Sequence, residues 1–426
     1  MYILGIETSC DETAAAIIEG KNVGTQNFAF SQNFVSVRSN VVSSQIEIHK
    51  KYGGVVPEVA AREHVLNILP VVNEALEKAG IKREKAAEKI DAIAVTVGPG
   101  LITSLIVGIE TAKTLSYVWN IPLIAINHIE GHIYANFISV NSKFQIPNSK
   151  QIQNPKSQTS NIKFPALILT VSGGHTMLVL MAGHGKYKVI GETRDDAAGE
   201  AFDKAAKLLN IGYPGGPAIA AEAAKFPISD FRFPIKSSIV NRQSSISLPR
   251  PMINSGDYDF SFSGLKTALL YKLKKDKMWK KKVPEYCAEF QQAVIDVLIA
   301  KTIKAARDFK VKTVMLSGGV AANQELRKQM KKKIESQITN YHRLGGIPPT
   351  INIIRWRDKL QIPDLKYTTD NAAMIAAAGY FRALKKDFIP WQKIKVDPNL
   401  ELTVICPPLP PRRDWRGRGN YQFVGY

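Results

Sequence analysis

The sequence predicts an α/β protein in which one pattern is used twice, with a cleft between the two halves. Three observations predict it. An apolar run, a polar turn and a second apolar run open the chain over Tyr2–Ile18. The same plan returns over Ala166–Leu180, around Ser172-Gly173-Gly174. In each half, further apolar runs then alternate with stretches of helical spacing, the mark of strands and helices in alternation.

Taken in order, Tyr2–Ile18 reads as a β-hairpin with Asp11 and Glu12 at its turn. Residues 57–79 read as a helix whose core face is expected at Val59, Val65, Leu66, Leu69, Val72 and Leu76. A buried strand over 92–97 runs into Gly98-Pro99-Gly100 and a helix reaching about Trp119. A strand over 121–126 meets Asn127-His128-Ile129-Glu130-Gly131-His132. In the second half, Ala166–Leu180 is the hairpin, Gly199–Ala206 a helix, Val311–Leu316 a strand ending in Ser317-Gly318-Gly319, and 321–333 the helix after it. Asn371–Leu384 is the last helical run. The expected division is a first lobe over 1–127, a second over 128–385 and a C-terminal extension over 386–426. Insertions are expected at about 141–162 (rich in Asn, Gln and Ser), 226–254 and 334–366. The Pro/Arg/Gly-rich tail from Pro407 reads as extended.

Composition narrows the class. Across 426 residues, 57 Lys+Arg face 37 Asp+Glu, a formal charge of +20, which suits a polyanionic partner. No apolar run approaches the ~18 residues of a membrane span, so no membrane association is expected. Three scattered cysteines, Cys10, Cys287 and Cys406, fit neither a disulfide framework nor a cysteine zinc site; they suit a reducing cytoplasm. The Lys272–Lys282 run around Trp279, Arg327-Lys328 with Lys331–Lys333, Lys385-Lys386 and the tail arginines could grip phosphates.

His128 and His132 stand four residues apart, which puts both imidazoles on one helix face, close enough to share a metal. Ile129 occupies the place of the glutamate in a zinc-protease HExxH, and Glu130 lies about 200° around the helix, so a metalloprotease is disfavoured. Asp370 is a candidate third ligand, although locally it reads first as the N-cap of the last helix. Ser172-Gly173-Gly174, Gly215-Gly216 and Ser317-Gly318-Gly319 are turns whose backbone amides could approach an anion. None matches GxxxxGK[ST] or GxGxxG. Asp203 sits on a predicted helix, and Asn323 at a capping position.

Nine blocks now form a recognisable series. They are Gly5–Thr13, Ser43–Gln45 with Gly53–Glu58, Asn127–His132, Val171–Thr176, Gly199–Asp203, Gly212–Pro217, Asp259–Thr267, Ser317–Asn323 and Thr369–Met374. In this order the chain resembles the bacterial tRNA N6-adenosine threonylcarbamoyltransferases, formerly called O-sialoglycoprotein endopeptidases. The resemblance implies the duplicated lobes of actin, sugar kinases and Hsp70 chaperones (ASKHA) around a nucleotide cleft. It implies that His128, His132 and Asp370 bind one divalent metal, Fe(2+) first and Zn(2+) second. It implies that Thr170, Val171, Ser172, Gly173, Gly174, Asp203, Gly216 and Asn323 hold the acyl-adenylate donor, and that Asp11 and Glu12 are needed for activity.

The implied reaction moves a threonylcarbamoyl group from threonylcarbamoyl-AMP to N6 of adenosine 37, in the anticodon loop of tRNAs reading codons that begin with A. The implied partners are tRNA, an inactive paralogue of the same fold and a small P-loop ATPase. Ala220 departs from the pattern, since many members carry there an Asp that contacts the donor. The chemistry suits such a site, because a weakly nucleophilic aromatic amine needs an activated acyl donor, a Lewis acid and a proton acceptor. Asp11, Glu12 and His175 are the candidate acceptors. A small-molecule kinase or ATPase of the same fold is the alternative; it would have no use for the two histidines.

Overall fold

The computed structural model describes residues 1–23, 32–139, 162–226, 246–342 and 360–402. Most of the expected insertions (140–161, 227–245 and 343–359) and the tail from 403, Cys406 included, lie outside the described residues.

The first sheet is built from β1 (Tyr2–Glu7), β2 (Glu12–Val23) and β3 (Gln32–Ser44). After α1 (Ile46–His49), α2 (Pro57–Lys78) and α3 (Ala86–Lys89) come β4 (Ala92–Gly98), α4 (Ile102–Trp119), β5 (Leu123–Asn127) and α5 (His128–Tyr134). The second sheet starts with β6 (Ala166–Val171), β7 (Thr176–Gly183) and β8 (Lys186–Glu192), followed by α6 (Ala198–Leu209), α7 (Gly215–Ala223), α8 (Ser263–Lys275) and α9 (Val283–Asp308). Then come β9 (Thr313–Ser317), α10 (Gln324–His342), β10 (Leu360–Gln361) and α11 (Ala372–Ala383).

The duplication is visible strand for strand. The first sheet has the order β3-β2-β1-β4-β5; the second, read from its opposite end, is β8-β7-β6-β9-β10. In each sheet the first three strands run antiparallel, and the fourth and fifth join the first in parallel. The central parallel strands β4 and β9 are buried along their whole length and mostly apolar, as strands covered on both faces are.

Three packed layers follow. Helices α2 and α4 cover the outer face of the first sheet, and α6, α7 and α9 cover the second. Between the sheets lies a central core into which α5 and α11 are wedged. Helix α11 is mostly small residues, so it can press against β1: a Cβ added at Gly5 would lie 2.3 Å from the Ala372 carbonyl oxygen.

Three expectations change. The core side of α2 is Ala60, His64, Ile68, Val71, Val72, Ala75 and Leu76. Val65, Leu66 and Leu69 are instead exposed, because a stripe carrying alanine and histidine outcompetes the more apolar one next to it for the sheet. The last part of the second expected insertion (226–254) is packed rather than loose, with Ile246 and Leu248 in the core and Arg250 paired with Asp296 and Glu289. The stretch expected to break the rhythm from 334 begins as a continuation of α10 and ends in the edge strand β10. The described part of the C-terminal extension returns to the first sheet, where Ile389 bridges Leu123 and Ile394 is buried.

Candidate cation and nucleotide site

Helix α5 starts where β5 ends because the Asn127 side chain accepts from the amides of Ile129 and Glu130, at 2.8 and 3.3 Å. That cap places His128 and His132 one turn apart, with ring centroids 4.6 Å from each other. Asp370 reaches them from the loop before α11. Its Oδ1 is 3.5 Å from His128 Nε2 and 3.1 Å from His132 Nε2. The cap of α11 is Asn371, whose Oδ1 accepts from the Met374 amide at 3.1 Å. Asp370 is therefore not the cap the sequence favoured; the next residue takes that role and frees the carboxylate.

The three ligand atoms lie within 4.8 Å of one another. His132 is fully buried, yet neither of its ring nitrogens makes a hydrogen bond. Its contact with Asp370 is close but misaligned, as expected of two atoms aimed at a common third point. Two imidazoles and one carboxylate suit zinc or iron, and a set of three leaves positions open. The residues present fit the metal.

A residue that sequence reasoning missed completes the triad's support. Glu7, the last residue of β1, is fully buried. His128 Nδ1 donates to its Oε2 at 3.1 Å, Thr96 Oγ1 donates to the same oxygen at 2.6 Å, and the Ser9 amide donates to Oε1. A carboxylate behind a histidine fixes which nitrogen carries the proton and leaves Nε2 free for a cation. The signal in the sequence was one acidic residue closing an otherwise apolar strand.

Charge is concentrated here. Burial lowers the pKa of His128, but Asp370 and Glu7 overcome it and raise it to about 9. Burial opposes the charge of Asp370, yet His128 and His132 hold its carboxyl well below the usual range. Burial and the neighbouring His128 and His132 depress His175 to about 4. Burial, Asp370 and Asp11 push Glu12 up to about 10. Burial raises the pKa of Asp203 and of Tyr213, and the field of Asp11 adds to both.

A cavity of about 960 Å³ opens along α6, α7 and α10. Gly173, Asp203, Gly216 and Asn323 line it, with Ala220 at the departing position, Thr369 next to the triad and Lys328 and Lys332 from α10. Asp203 Oδ1 accepts from the Gly215 amide at 2.6 Å, which leaves Oδ2 to face a ligand. Asn323 caps α10 through the Leu326 amide and donates to Gln291 Oε1, leaving one amide hydrogen. Thr170 and Val171 are not on this surface; they are buried in β6, and Thr170 Oγ1 bonds Ser317 Oγ at 2.8 Å. The Ser172 amide is committed to the His175 carbonyl at 2.8 Å, which leaves the amides of Gly173 and Gly174, and of the two glycines Gly173 lines the cavity. Glu130 is turned away from the triad toward Tyr187 and Arg382, as its helical angle required.

Comparison with known proteins points to one family. A family model described as tRNA N6-adenosine threonylcarbamoyltransferase matches residues 36–377. A protein of that name from Dehalococcoides mccartyi (strain BAV1) is 46% identical over 382 residues, which is 90% of this chain and 94% of the relative. The one from Bacillus subtilis (strain 168) is 44% identical over 405 residues, 95% and 96% of the two chains. Among solved structures, HypF from T. kodakarensis is similar in fold alone, with a TM-score of 0.50 and 13% identity over 91% of this chain and 48% of that longer one.

Proposed function

The chain belongs to the tRNA N6-adenosine threonylcarbamoyltransferase family, and from that premise we propose that it moves a threonylcarbamoyl group from threonylcarbamoyl-AMP to N6 of adenosine 37 of tRNAs reading codons that begin with A, releasing AMP. The observation that carries this reading is one juxtaposition. A triad of two imidazoles and a carboxylate stands next to a cavity of nucleotide size, whose wall includes Thr369, the residue before Asp370. A kinase of this fold would leave the triad without a task.

We assign the donor to the cavity. Asp203 Oδ2 and the remaining Asn323 hydrogen face its nucleoside, Gly216 lets it approach the backbone, and Gly173 and Gly174 present amides to its phosphate. Ala220 lacks a polar group, so the ribose is held by fewer bonds than in relatives with an acid there. A divalent cation held by His128, His132 and Asp370, iron first and zinc second, would supply a Lewis acid toward the phosphate or carbonyl oxygen. Asp11 is our choice of proton acceptor. Glu12 is raised by burial and by its two acidic neighbours, and holds its proton unless nearby positive charge offsets them. His175, depressed to about 4 by burial and by the neighbouring His128 and His132, stays neutral beside the triad, where we leave it.

The base at position 37 is unpaired in its loop, so its edge is reachable without melting a duplex. The lysines of α8 and of the turn after it, with the exposed Lys280 and Lys281 beside the partly buried Trp279, are where we expect flanking phosphates to lie. Among the described residues no helix is long and apolar enough to cross a membrane, and we place the protein in the cytoplasm with its tRNA. We assign the paralogue of the same fold to the exposed apolar stripe of Val65, Leu66 and Leu69 on α2 with Ile102 and Ile106 on α4. A small P-loop ATPase is the third expected partner.

The test supplies protein, radiolabelled threonylcarbamoyl-AMP and tRNA with unmodified adenosine 37, beside His128→Ala and Asp370→Ala. Label should reach tRNA with the parent only. Equal transfer by all three would sink the role of the triad.

A further inference from the structure

One block of the family pattern, Ser43–Gln45 with Gly53–Glu58, puts no side chain on the cavity or in the triad, and its two segments are otherwise unaccounted for. They meet instead in a buried chain of hydrogen bonds behind the acidic turn. Thr13, Gln45, His49 and His64 are each at most 2% exposed.

The two ends of this chain fix its direction. At one end the Val56 amide, which can only donate, gives its hydrogen to His49 Nδ1 at 3.3 Å. His49 must then carry its proton on Nε2, which donates to Gln45 Oε1 at 3.1 Å. The Gln45 side-chain amide donates to the Ala60 carbonyl at 3.3 Å and faces His64 Nδ1 at 3.5 Å. The Thr13 hydroxyl donates to that same nitrogen at 2.7 Å. His64 therefore carries its proton on Nε2 and donates to the Cys10 carbonyl at 3.0 Å. The backbone amide of Gln45 donates to the Asp11 carbonyl, also at 3.0 Å. The carbonyls of the peptide units before and after Asp11 are thus both held, each ring being neutral and in one tautomer.

Such a chain is a costly way to fill space. Apolar side chains of similar shape would build the same core without desolvating four polar groups. What the polar version adds is direction at the one place where it ends.

We propose that His64 and Gln45 are positioning residues, which hold the backbone on both sides of Asp11 so that its carboxylate meets the amine of the tRNA base. This rests on the reading of Asp11 as the proton acceptor. The segment Gly53–Glu58 enters through Val56, and α1 and α2 enter through His49 and His64, so the packing of three elements converges on one carboxylate.

The test measures transfer of label to unmodified tRNA with full-length protein, together with cation affinity and thermal midpoint. His64→Leu is expected to lower kcat by about 10- to 100-fold, the usual effect of a small misplacement of a reacting group. KM for donor and tRNA should stay within about threefold, and cation affinity should not change. His64→Gln can donate to Cys10 and accept from Thr13, and should recover most of the loss. In an Asp11→Asn background, adding His64→Leu should cost under about threefold more, because both act through one group. Should His64→Leu fail to fold, Thr13→Val, which removes only the hydroxyl donor, should show a smaller kcat loss with the same pattern.

Losses that add in the double variant, or a His64→Leu defect confined to KM or cation affinity, would overturn the proposal. If Asp11→Asn is inactive while His64→Leu and Thr13→Val are fully active, the positioning role alone falls. If Asp11→Asn is itself fully active, the reading of the acidic turn falls, and this one with it.

Discussion

Removing the carboxylate at position 370 would leave two imidazoles facing one another, one of them fully buried with no hydrogen-bond partner. Asp370→Ala should therefore weaken Zn(2+) binding by at least about 100-fold in a chelator competition, since a two-ligand site is incomplete. Glu7→Gln should weaken it by about 10- to 100-fold, the usual cost of losing the group that orients a ligand histidine. The sign with pH follows from His128. It must give up its proton to bind a cation, and in the cation-free protein its pKa stands at about 9. Binding should thus release protons, and affinity should fall as pH drops below about 9, approaching tenfold per unit. A second carboxylate gives a stability test. Asp195 accepts from the amides of Phe262 and Ser263, at 2.8 and 3.2 Å, and from both serine hydroxyls at the start of α8. These bonds outweigh its partial burial and lower its pKa. Its contribution is therefore present above the unfolded Asp value of about 3.9 and lost as pH falls through the lower folded value. Asp195→Ala should cost about 1 kcal/mol in urea unfolding at pH 7, and less near pH 3.

Elements decide whether those residues meet. Helix α11 brings Asp370 to α5 only because it lies close against β1, and Gly5 is the point of closest approach. Gly5→Ala must push the helix out or bend the strand. It should cost about 1–3 kcal/mol, as overpacked cores do, and should weaken cation binding as well, because the loop carrying Asp370 moves with the helix. A thermal melt paired with a zinc titration checks both; loss of stability with unchanged affinity would show that the loop is anchored independently. The hairpins, the parallel strands and the helices after them were legible from apolar runs and turn residues. The buried face of α2 was not. Periodicity marks which positions share a face, but Val65, Leu66 and Leu69 form as good a stripe as Ile68, Val72 and Leu76, and only contact with the sheet separates them. The cap of α11 was misplaced by one residue for a similar reason. Asp370 and Asn371 are both good caps, and the choice depends on whether the first is drawn toward two imidazoles on another helix.

Over the whole molecule, the +20 charge suits a tRNA substrate, and the lysines around Trp279 are the surface proposed to dock it. Lys274→Glu with Lys281→Glu should weaken tRNA binding by about 10-fold or more and reduce its salt dependence, since each lost phosphate contact releases about one fewer counterion. Transfer at saturating tRNA should be nearly unchanged; an equal loss there would move these lysines from docking into the site. Composition determined much of this by itself. Spacing put two histidines on one helix face because four residues make about one turn. The repeated apolar pattern gave the duplicated architecture, because strands and helices each impose their own period. What tertiary structure alone decided is which distant groups converge. Asp370, Glu7 and His64 come from different elements, and their approach to the histidines and the acidic turn depends on packed surfaces fitting together. No local period along the chain encodes that fit.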